Sequence, residues 1–175
     1  SPVDLLTLKK YGNIKPTLVN MTQGLYGNIY YLITNKTDNI NSLKDLSKEN
    51  IKLLARSDGQ VPFLWLDKLL RDYKLPPKEK FFRTISFDHK PTNVLLPVFF
   101  NKITAAIITK TSYELLCELN PQISKQIKIL EVSDPLLFGV ICFDPRNKNT
   151  EREKLLLDIL LSLQNDKNGK QLFEL

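Results

Sequence analysis

The sequence predicts an α/β fold in which helices flank a mainly parallel sheet. Within residues 51–109, short apolar runs of strand length alternate with longer stretches that have helical spacing. A polar turn follows each of three successive strand-like runs. A hydrophobic content of 42% and a charged content of 25% are typical of a soluble globular protein. A length of 175 residues suits one domain or two small lobes.

Before residue 51, the sequence alternates extended segments with turns. Ser42 has the residue type and position of a helix N-cap, and Asp45, three residues later, is placed to return a capping hydrogen bond. We therefore expect a short helix over residues 42–46. Strands are predicted over residues 3–8, 16–20 and 28–34.

The middle of the chain carries the clearest alternation. Pro62 is acceptable in the first turn of a helix, whereas Pro97 in a straight helix interior would cost about 3 kcal/mol. A kink or an early break is therefore expected at Pro97. Strands are predicted over residues 51–55, 81–87 and 104–108, and helices over residues 61–73 and 91–101.

The last third of the chain continues the same pattern. Asn120-Pro121 ends one helix, and Thr150 and Glu153 have capping-box spacing at the start of another. Helices are predicted over residues 111–119 and 150–164, and strands over residues 128–132 and 136–143.

Composition argues against several classes of function. The net charge is +6, but the 25 basic residues are scattered, so nucleic-acid binding is not predicted. One histidine and two cysteines, Cys117 and Cys142, predict neither a disulfide framework nor a metal site, and no cofactor is expected. No apolar run has the roughly 20 residues that a membrane span needs. Residues 1–4 look like a truncated or processed start, so the missing signal peptide does not indicate the cytoplasm.

The polar turns that follow the three strands form the candidate site. In open α/β sheets, ligands bind where strands end and helices begin. A helix N-terminus offers unpaired N–H groups and a positive dipole end, which suit an anion. Gly59 allows close backbone approach, and Ser57 adds a hydroxyl donor. The candidate residues in these turns are Arg56, Ser57, Asp58, Gly59, Gln60, His89 and Thr109.

Structural alternatives exist for several of these residues. Asp58 has the residue type of a helix N-cap, and His89 is equally suited to a local hydrogen bond. Trp65 and the phenylalanine pairs at 81–82 and 99–100 are interpreted as core side chains rather than as a ligand platform.

Six segments occur along the chain in this order: NKTDNINSLKDL, RSDG, SFDHK, NKITAAIIT, EVSDP and NGK. Together they resemble the phosphate, phosphite and phosphonate-binding proteins of ABC transporters. These proteins are a branch of the type II periplasmic-binding-protein fold. The segment NKTDNINSLKDL resembles the family's RKDSGI-SLADL, RSDG its Ser-Thr-Ser-Gly turn, and SFDHK its SGSHD. Further along, NKITAAIIT resembles GKADAGAVD, EVSDP the ES-PIP crossover, and NGK the C-terminal peGk turn. The segments are residues 35–46, 56–59, 86–90, 101–109, 131–135 and 168–170.

The resemblance implies a two-lobed fold of which the chain holds one nearly complete lobe and part of a second, truncated at both ends. Residues 36–132 would form the second lobe, and residues 1–35 and 133–175 the partial first lobe. The family's hydroxyl turn and histidine contact the ligand, which implies such roles for Ser57 and His89. Thr109 matches a position with a polar ligand contact, and Tyr26 would line the cleft.

By the same resemblance, the chain is a non-enzymatic solute-binding protein that closes its lobes around a small anion, phosphonate-like or phosphate-like. Its partner would be an ABC permease, and its location periplasmic or extracellular. The family's hydroxyl residues are replaced by Arg56 and Asp58, and the aspartate of ADAG by Thr104. Asp58 and Asp88 place negative charge where an anion is expected to bind.

Three other functions fit the same fold. The alternative to transport is an extracytoplasmic ligand-sensing domain of a membrane receptor with the same fold, and a further candidate is the effector-binding domain of a transcription regulator. An enzyme on this scaffold is disfavoured, because the sequence has one histidine, no Cys–His pair placed by spacing and no G-x-S-x-G elbow.

Overall fold

The computed structural model describes residues 4–5, 8–10, 12, 14–19, 21, 25–55, 60–137, 139–144, 146, 150–163 and 169. The chain divides into two compact units: residues 28–136 form one, and residues 1–27 together with 137–175 form the other. The lobe boundaries that the resemblance implies, at residues 36 and 132, stay a prediction.

The described elements follow one another in the alternating order that the sequence indicates. The strands are β1 (Lys15–Val19), β2 (Gly27–Asn28), β3 (Tyr30–Asn35), β4 (Asn50–Leu54), β5 (Thr84–Asp88), β6 (Ala105–Thr109), β7 (Ile127–Val132), β8 (Leu136–Leu137) and β9 (Val140–Phe143). The helices are α1 (Val61–Asp72), α2 (Lys78–Phe81), α3 (Pro91–Phe99), α4 (Lys110–Leu119), α5 (Gln122–Gln126) and α6 (Thr150–Leu163). A 3-10 turn spans Leu43–Leu46, where Asp45 Oδ2 accepts the expected bond from Ser42 N at 2.9 Å.

A five-stranded sheet in the order β5-β4-β6-β3-β7 forms the centre of the unit of residues 28–136. β4 runs parallel to β5 and β6, whereas β3 runs antiparallel to β6 and β7. Four strands therefore share one direction, as the prediction of a mainly parallel sheet requires. β3 makes the sheet mixed, because it begins at the edge where β6 ends and therefore runs in the opposite direction.

Helices cover both faces of this sheet because its strands are apolar on both faces. On one face, Leu32, Leu53 and Ile107 pack in a core with the α1 side chains Phe63 and Leu66. Their neighbours along the strands face the other way: Ile33, Ala106 and Ile108 pack against α3 and α4 residues such as Leu95 and Leu116. The period of two along each strand thus divides the core into two layers.

Two predicted strands differ from the structure. Asp4–Leu5 and Leu8, in the predicted strand 3–8, are helical, and Lys9 N donates to Leu5 O at 2.9 Å. The prediction is wrong there because a short apolar run does not distinguish helix from strand. Phe81 ends α2, and Phe82 lies between that helix and β5, so the predicted strand 81–87 begins three residues too early.

Two further boundaries also differ from the predictions. The predicted strand 136–143 is described as β8, which pairs with β2, and β9, which pairs with β1. α3 continues through Pro97 and ends two residues later, at Phe99. Lys102 N then donates to Pro97 O at 2.7 Å, which closes the end of the helix.

The other unit contains β1 paired antiparallel with β9, and α6. No residue of α6 is buried, and Leu155, Leu156, Ile159 and Leu161 are exposed. Among the residues that the structure describes, no helix has both the length and the apolar character required to traverse a lipid bilayer.

Candidate functional site

Three helices begin just beyond one edge of the five-stranded sheet, which we call the helix-start edge. Because β4, β5 and β6 are parallel neighbours, their carboxyl ends lie together at this edge. Gln60 precedes α1, His89 lies between β5 and α3, and Thr109 ends β6 and caps α4. The structure therefore brings three of the predicted site residues to one edge.

The remaining predicted site residues are Arg56, Ser57, Asp58, Gly59 and Tyr26. Arg56, Ser57, Asp58 and Gly59 fall outside the described residues. Tyr26 belongs to the other unit, and its side chain is 54% exposed.

Asp88 shapes the turn between β5 and α3. Its Oδ1 accepts from Lys90 N at 3.0 Å, and its Oδ2 accepts from Asn93 Nδ2 at 3.1 Å. The Lys52 ammonium lies 3.7 Å from Oδ2. The Lys90 N–H contributes most to holding the pKa of Asp88 below its ordinary value, followed by the Asn93 bond and the positive charge of Lys52. Asp88 is therefore an anion with fixed partners at the helix-start edge.

His89 presents its imidazole to solvent from the same turn. The side chain is 65% exposed, and its Nδ1 lies 3.8 Å from Asp88 Oδ1. This separation is too long for a hydrogen bond. An exposed imidazole beside a helix start is geometrically able to donate to an oxyanion.

Thr109 has a structural role at the start of α4. Its Oγ1 accepts from Ser112 N at 3.3 Å and donates to Ser112 Oγ at 2.8 Å. The hydroxyl thus satisfies an N–H that the first turn of a helix leaves unpaired.

Replacing Thr109 with valine removes this cap while keeping the side-chain shape. We expect the free energy of unfolding to fall by about 1 kcal/mol. Thr109→Ser keeps the hydroxyl and is expected to stay close to wild type. Urea denaturation of both variants measures the difference, and equal stabilities for valine and serine would show that the cap contributes nothing.

Backbone bonds and one serine tie the strand ends together at the helix-start edge. Tyr30 N donates to Ser133 Oγ at 2.8 Å, and Ser133 N donates to Tyr30 O at 2.9 Å. Lys110 N donates to Ile29 O at 2.8 Å. Ser133 is buried, and these bonds join β3, β6 and β7 where the site residues emerge.

Aromatic residues near this edge belong mainly to the core. Tyr30 and Trp65 are both buried, with their ring centroids 6.3 Å apart. Burial raises the pKa of the Tyr30 phenol. The interpretation of Trp65 as a core residue is confirmed.

The opposite edge of the sheet holds a cavity of about 410 Å³. Thr104 Oγ1 donates to Glu49 Oε2 there at 2.7 Å, and burial, followed by the charge of Glu49, raises the pKa of Asp38. Of the predicted site residues that the structure describes at the helix-start edge, Gln60, His89 and Thr109, none lines this cavity. Within the described ranges, no group of His, Cys, Asp and Glu side chains is arranged to hold a metal ion.

Sequence reasoning did not single out Lys52, Asn93 or Ser133. Lys52 interrupts an otherwise apolar strand, and a charge at such a position indicates a buried or half-buried partner. That signal was present in the sequence. The identity of its partner was not, because Asp88 is 36 residues away in the chain (88 − 52).

Several solved structures have a similar fold. XAC2383 from Xanthomonas citri, bound to ATP, has a TM-score of 0.72 and 16% identity, and the match covers 98% of this chain and 66% of that one. The phosphonate-transporter binding protein PA3383 from Pseudomonas aeruginosa has a TM-score of 0.56 and 18% identity, with coverage of 90% and 52%. The aliphatic sulphonate binding protein SsuA from Escherichia coli has a TM-score of 0.60 and 10% identity, with coverage of 99% and 56%.

These likenesses establish the type II periplasmic-binding-protein fold, and the chain spans between half and two thirds of the length of these structures. No curated protein sequence matches the chain. A family model for the periplasmic substrate-binding protein of phosphonate ABC transporters matches residues 1–175. The chain therefore belongs to the family of periplasmic phosphonate-binding proteins of ABC transporters.

Proposed function

We propose that this chain is part of the solute-binding protein of an ABC importer and that it binds a small phosphorus oxyanion, phosphonate-like or phosphate-like, at the helix-start edge. The observation that carries the proposal is the arrangement of β4, β5 and β6. These neighbouring parallel strands end together, and each leads into a helix start. Helix starts supply N–H donors and positive potential, which an oxyanion needs.

Within this proposal, His89 donates a hydrogen bond to a ligand oxygen. The turn of residues 56–60 supplies the remaining donors: Arg56 adds positive charge, Ser57 a hydroxyl, Gly59 close backbone access and Gln60 an amide. Thr109 contributes indirectly, because its backbone lies at the start of α4 and its hydroxyl caps that helix. Tyr26 is proposed as an aromatic contact for the ligand, by the family resemblance.

The neighbours' ligands inform which molecules to test. XAC2383 is bound to ATP, and PA3383 and SsuA are named for phosphonate transport and aliphatic sulphonate. Phosphate, phosphonate and sulphonate groups share a tetrahedral central atom that carries at least three oxygens. We therefore assign the site to that chemistry, and to phosphorus rather than sulfur because the family model is that of phosphonate transporters.

The proposed partner is an ABC permease, and the proposed location is the periplasm. The function requires binding and release of solute without a catalytic step. A family defined by transport proteins favours the importer over a membrane receptor with the same fold.

A thermal-shift screen followed by calorimetry tests the proposal. The ligands are phosphate, phosphite, methylphosphonate, 2-aminoethylphosphonate, ATP, sulfate and common amino acids. At a concentration of 100 Kd, the cognate ligand is expected to stabilise the chain by about 2.7 kcal/mol, seen as a concentration-dependent rise in Tm. The expected hit is one phosphorus anion. A rise with sulfate or an amino acid alone, or no rise with any ligand, would contradict the proposal.

A further inference from the structure

We propose that Lys52 is a positioning residue that keeps the His89 turn receptive to an anion by offsetting the charge of Asp88. This inference rests on the proposed function, because it concerns the same site. Asp88 directly precedes His89, so its carboxylate would otherwise oppose an incoming oxyanion.

Strand geometry places Lys52 on the correct face of the sheet. Along β4, Ile51 and Leu53 belong to the core layer that contains α1, whereas Leu54 packs in the layer that contains α3. With a period of two, Lys52 shares the α3 side with Leu54. β5 is the parallel neighbour of β4, which brings the Lys52 ammonium within 3.7 Å of Asp88 Oδ2.

The contacts of Asp88 divide into those that orient it and one that balances its charge. Lys90 N–H and the Asn93 amide are neutral donors that fix the two carboxylate oxygens. Lys52 is a cation, and with 18% side-chain exposure it is far less accessible to solvent than His89, at 65%. A partly desolvated pair interacts more strongly than an exposed one. Lys52 therefore supplies the compensating charge and leaves the imidazole open to solvent.

The test combines four variants with calorimetry on the phosphorus anion that binds the wild-type chain. Lys52→Met is expected to weaken binding about tenfold, because one unit of positive charge is lost near the site. Asp88→Asn alone is expected to tighten binding, and Lys52→Met/Asp88→Asn to return affinity to within about threefold of wild type. Lys52→Arg keeps the charge and is expected to keep the affinity.

Lys78→Met is the matched control. Lys78 pairs with Asp67 at 2.8 Å, with comparable side-chain exposures of 21% and 33%. Its substitution makes the same change in net charge but leaves the contacts of Asp88 intact. We expect unchanged affinity. An equal loss of affinity in Lys52→Met and Lys78→Met would overturn the inference, as would a loss in Lys52→Met that the added Asp88→Asn does not recover.

Asp88→Asn keeps the test decisive if Lys52→Met fails to fold, since unchanged or weaker anion binding in that variant overturns the inference. Failure of the proposed function has a separate signature, which is that the wild-type chain binds none of the anions.

The pKa of the Asp88 carboxyl, followed by NMR, then tests the charge pairing. The ionisable neighbours that act on it are Lys52 from β4 and, when protonated, His89. The pKa is expected to rise in Lys52→Met and to stay low in Lys52→Arg, and no rise in Lys52→Met overturns the inference.

Discussion

Replacing His89 with alanine is expected to weaken binding of the cognate phosphorus anion about 10- to 100-fold. A hydrogen bond to a charged group contributes roughly 1.5–3 kcal/mol, and each 1.4 kcal/mol is about a factor of ten in affinity. The side chain is 65% exposed, so its removal is expected to leave the free energy of unfolding close to wild type. Isothermal titration calorimetry measures the affinity, and urea denaturation measures the stability.

His89→Gln and Ser57→Ala complete this experiment. Glutamine retains an N–H donor and is expected to recover part of the lost affinity. Ser57→Ala is expected to weaken binding because it removes a proposed hydroxyl donor. Unchanged affinity in both His89→Ala and Ser57→Ala would remove these residues from the site, whatever the ligand.

Asn35→Ala is expected to lower the free energy of unfolding by about 2–4 kcal/mol. Asn35 is 2% exposed, and its Nδ2 donates to Val98 O at 3.2 Å and to Phe99 O at 3.0 Å. Its Oδ1 accepts from Thr37 N at 3.1 Å. One amide thus joins the end of β3, the end of α3 and the following turn. Truncation removes this partner from the part-buried Phe99 O and Thr37 N–H, at about 1–3 kcal/mol each, whereas Val98 O keeps its bond from Asn101 N.

The matched control for this prediction is Asn50→Ala. Asn50 Oδ1 accepts from Thr84 Oγ1 at 2.7 Å between β4 and β5, in an exposed position. Water replaces that bond, so the expected loss is below about 1 kcal/mol. Urea denaturation compares the two variants. Similar losses for Asn35→Ala and Asn50→Ala would show that the buried Asn35 amide stabilises the fold no more than the exposed Asn50 amide does.

Most elements could be predicted because local pattern determines them. Pro62 marks the first turn of α1, Ser42 and Asp45 form the expected capping contact, and β6 is a continuous run of small and branched apolar residues. The predictions failed where the sequence pattern is ambiguous. The apolar run 3–8 fits a helix or a strand equally well. Phe81 and Phe82 are strand-forming residues, but Phe81 ends α2 and Phe82 follows it before β5 begins.

The candidate site was predictable only in outline. A parallel sheet places successive strand ends at one edge, so the sequence order alone indicated that Gln60, His89 and Thr109 emerge together. The roles of individual side chains were harder to predict from the sequence. Thr109 was expected to contact ligand, and the structure uses its hydroxyl as a helix cap. That distinction depends on a contact with Ser112 that only the structure shows.

The sequence by itself determined the alternation of strands and helices, the two-sided burial of the sheet and the position of the candidate site at the strand ends. These properties follow from local patterns along the chain. The alternation of residues along a strand, the spacing of apolar residues along a helix and the helix caps each involve only a few neighbouring residues. Only the tertiary structure decided the reversed direction of β3, the tie between Asn35 and the end of α3, and the pairing of Lys52 with Asp88. Those contacts join residues far apart in sequence, and the packing of strands and helices brings them together.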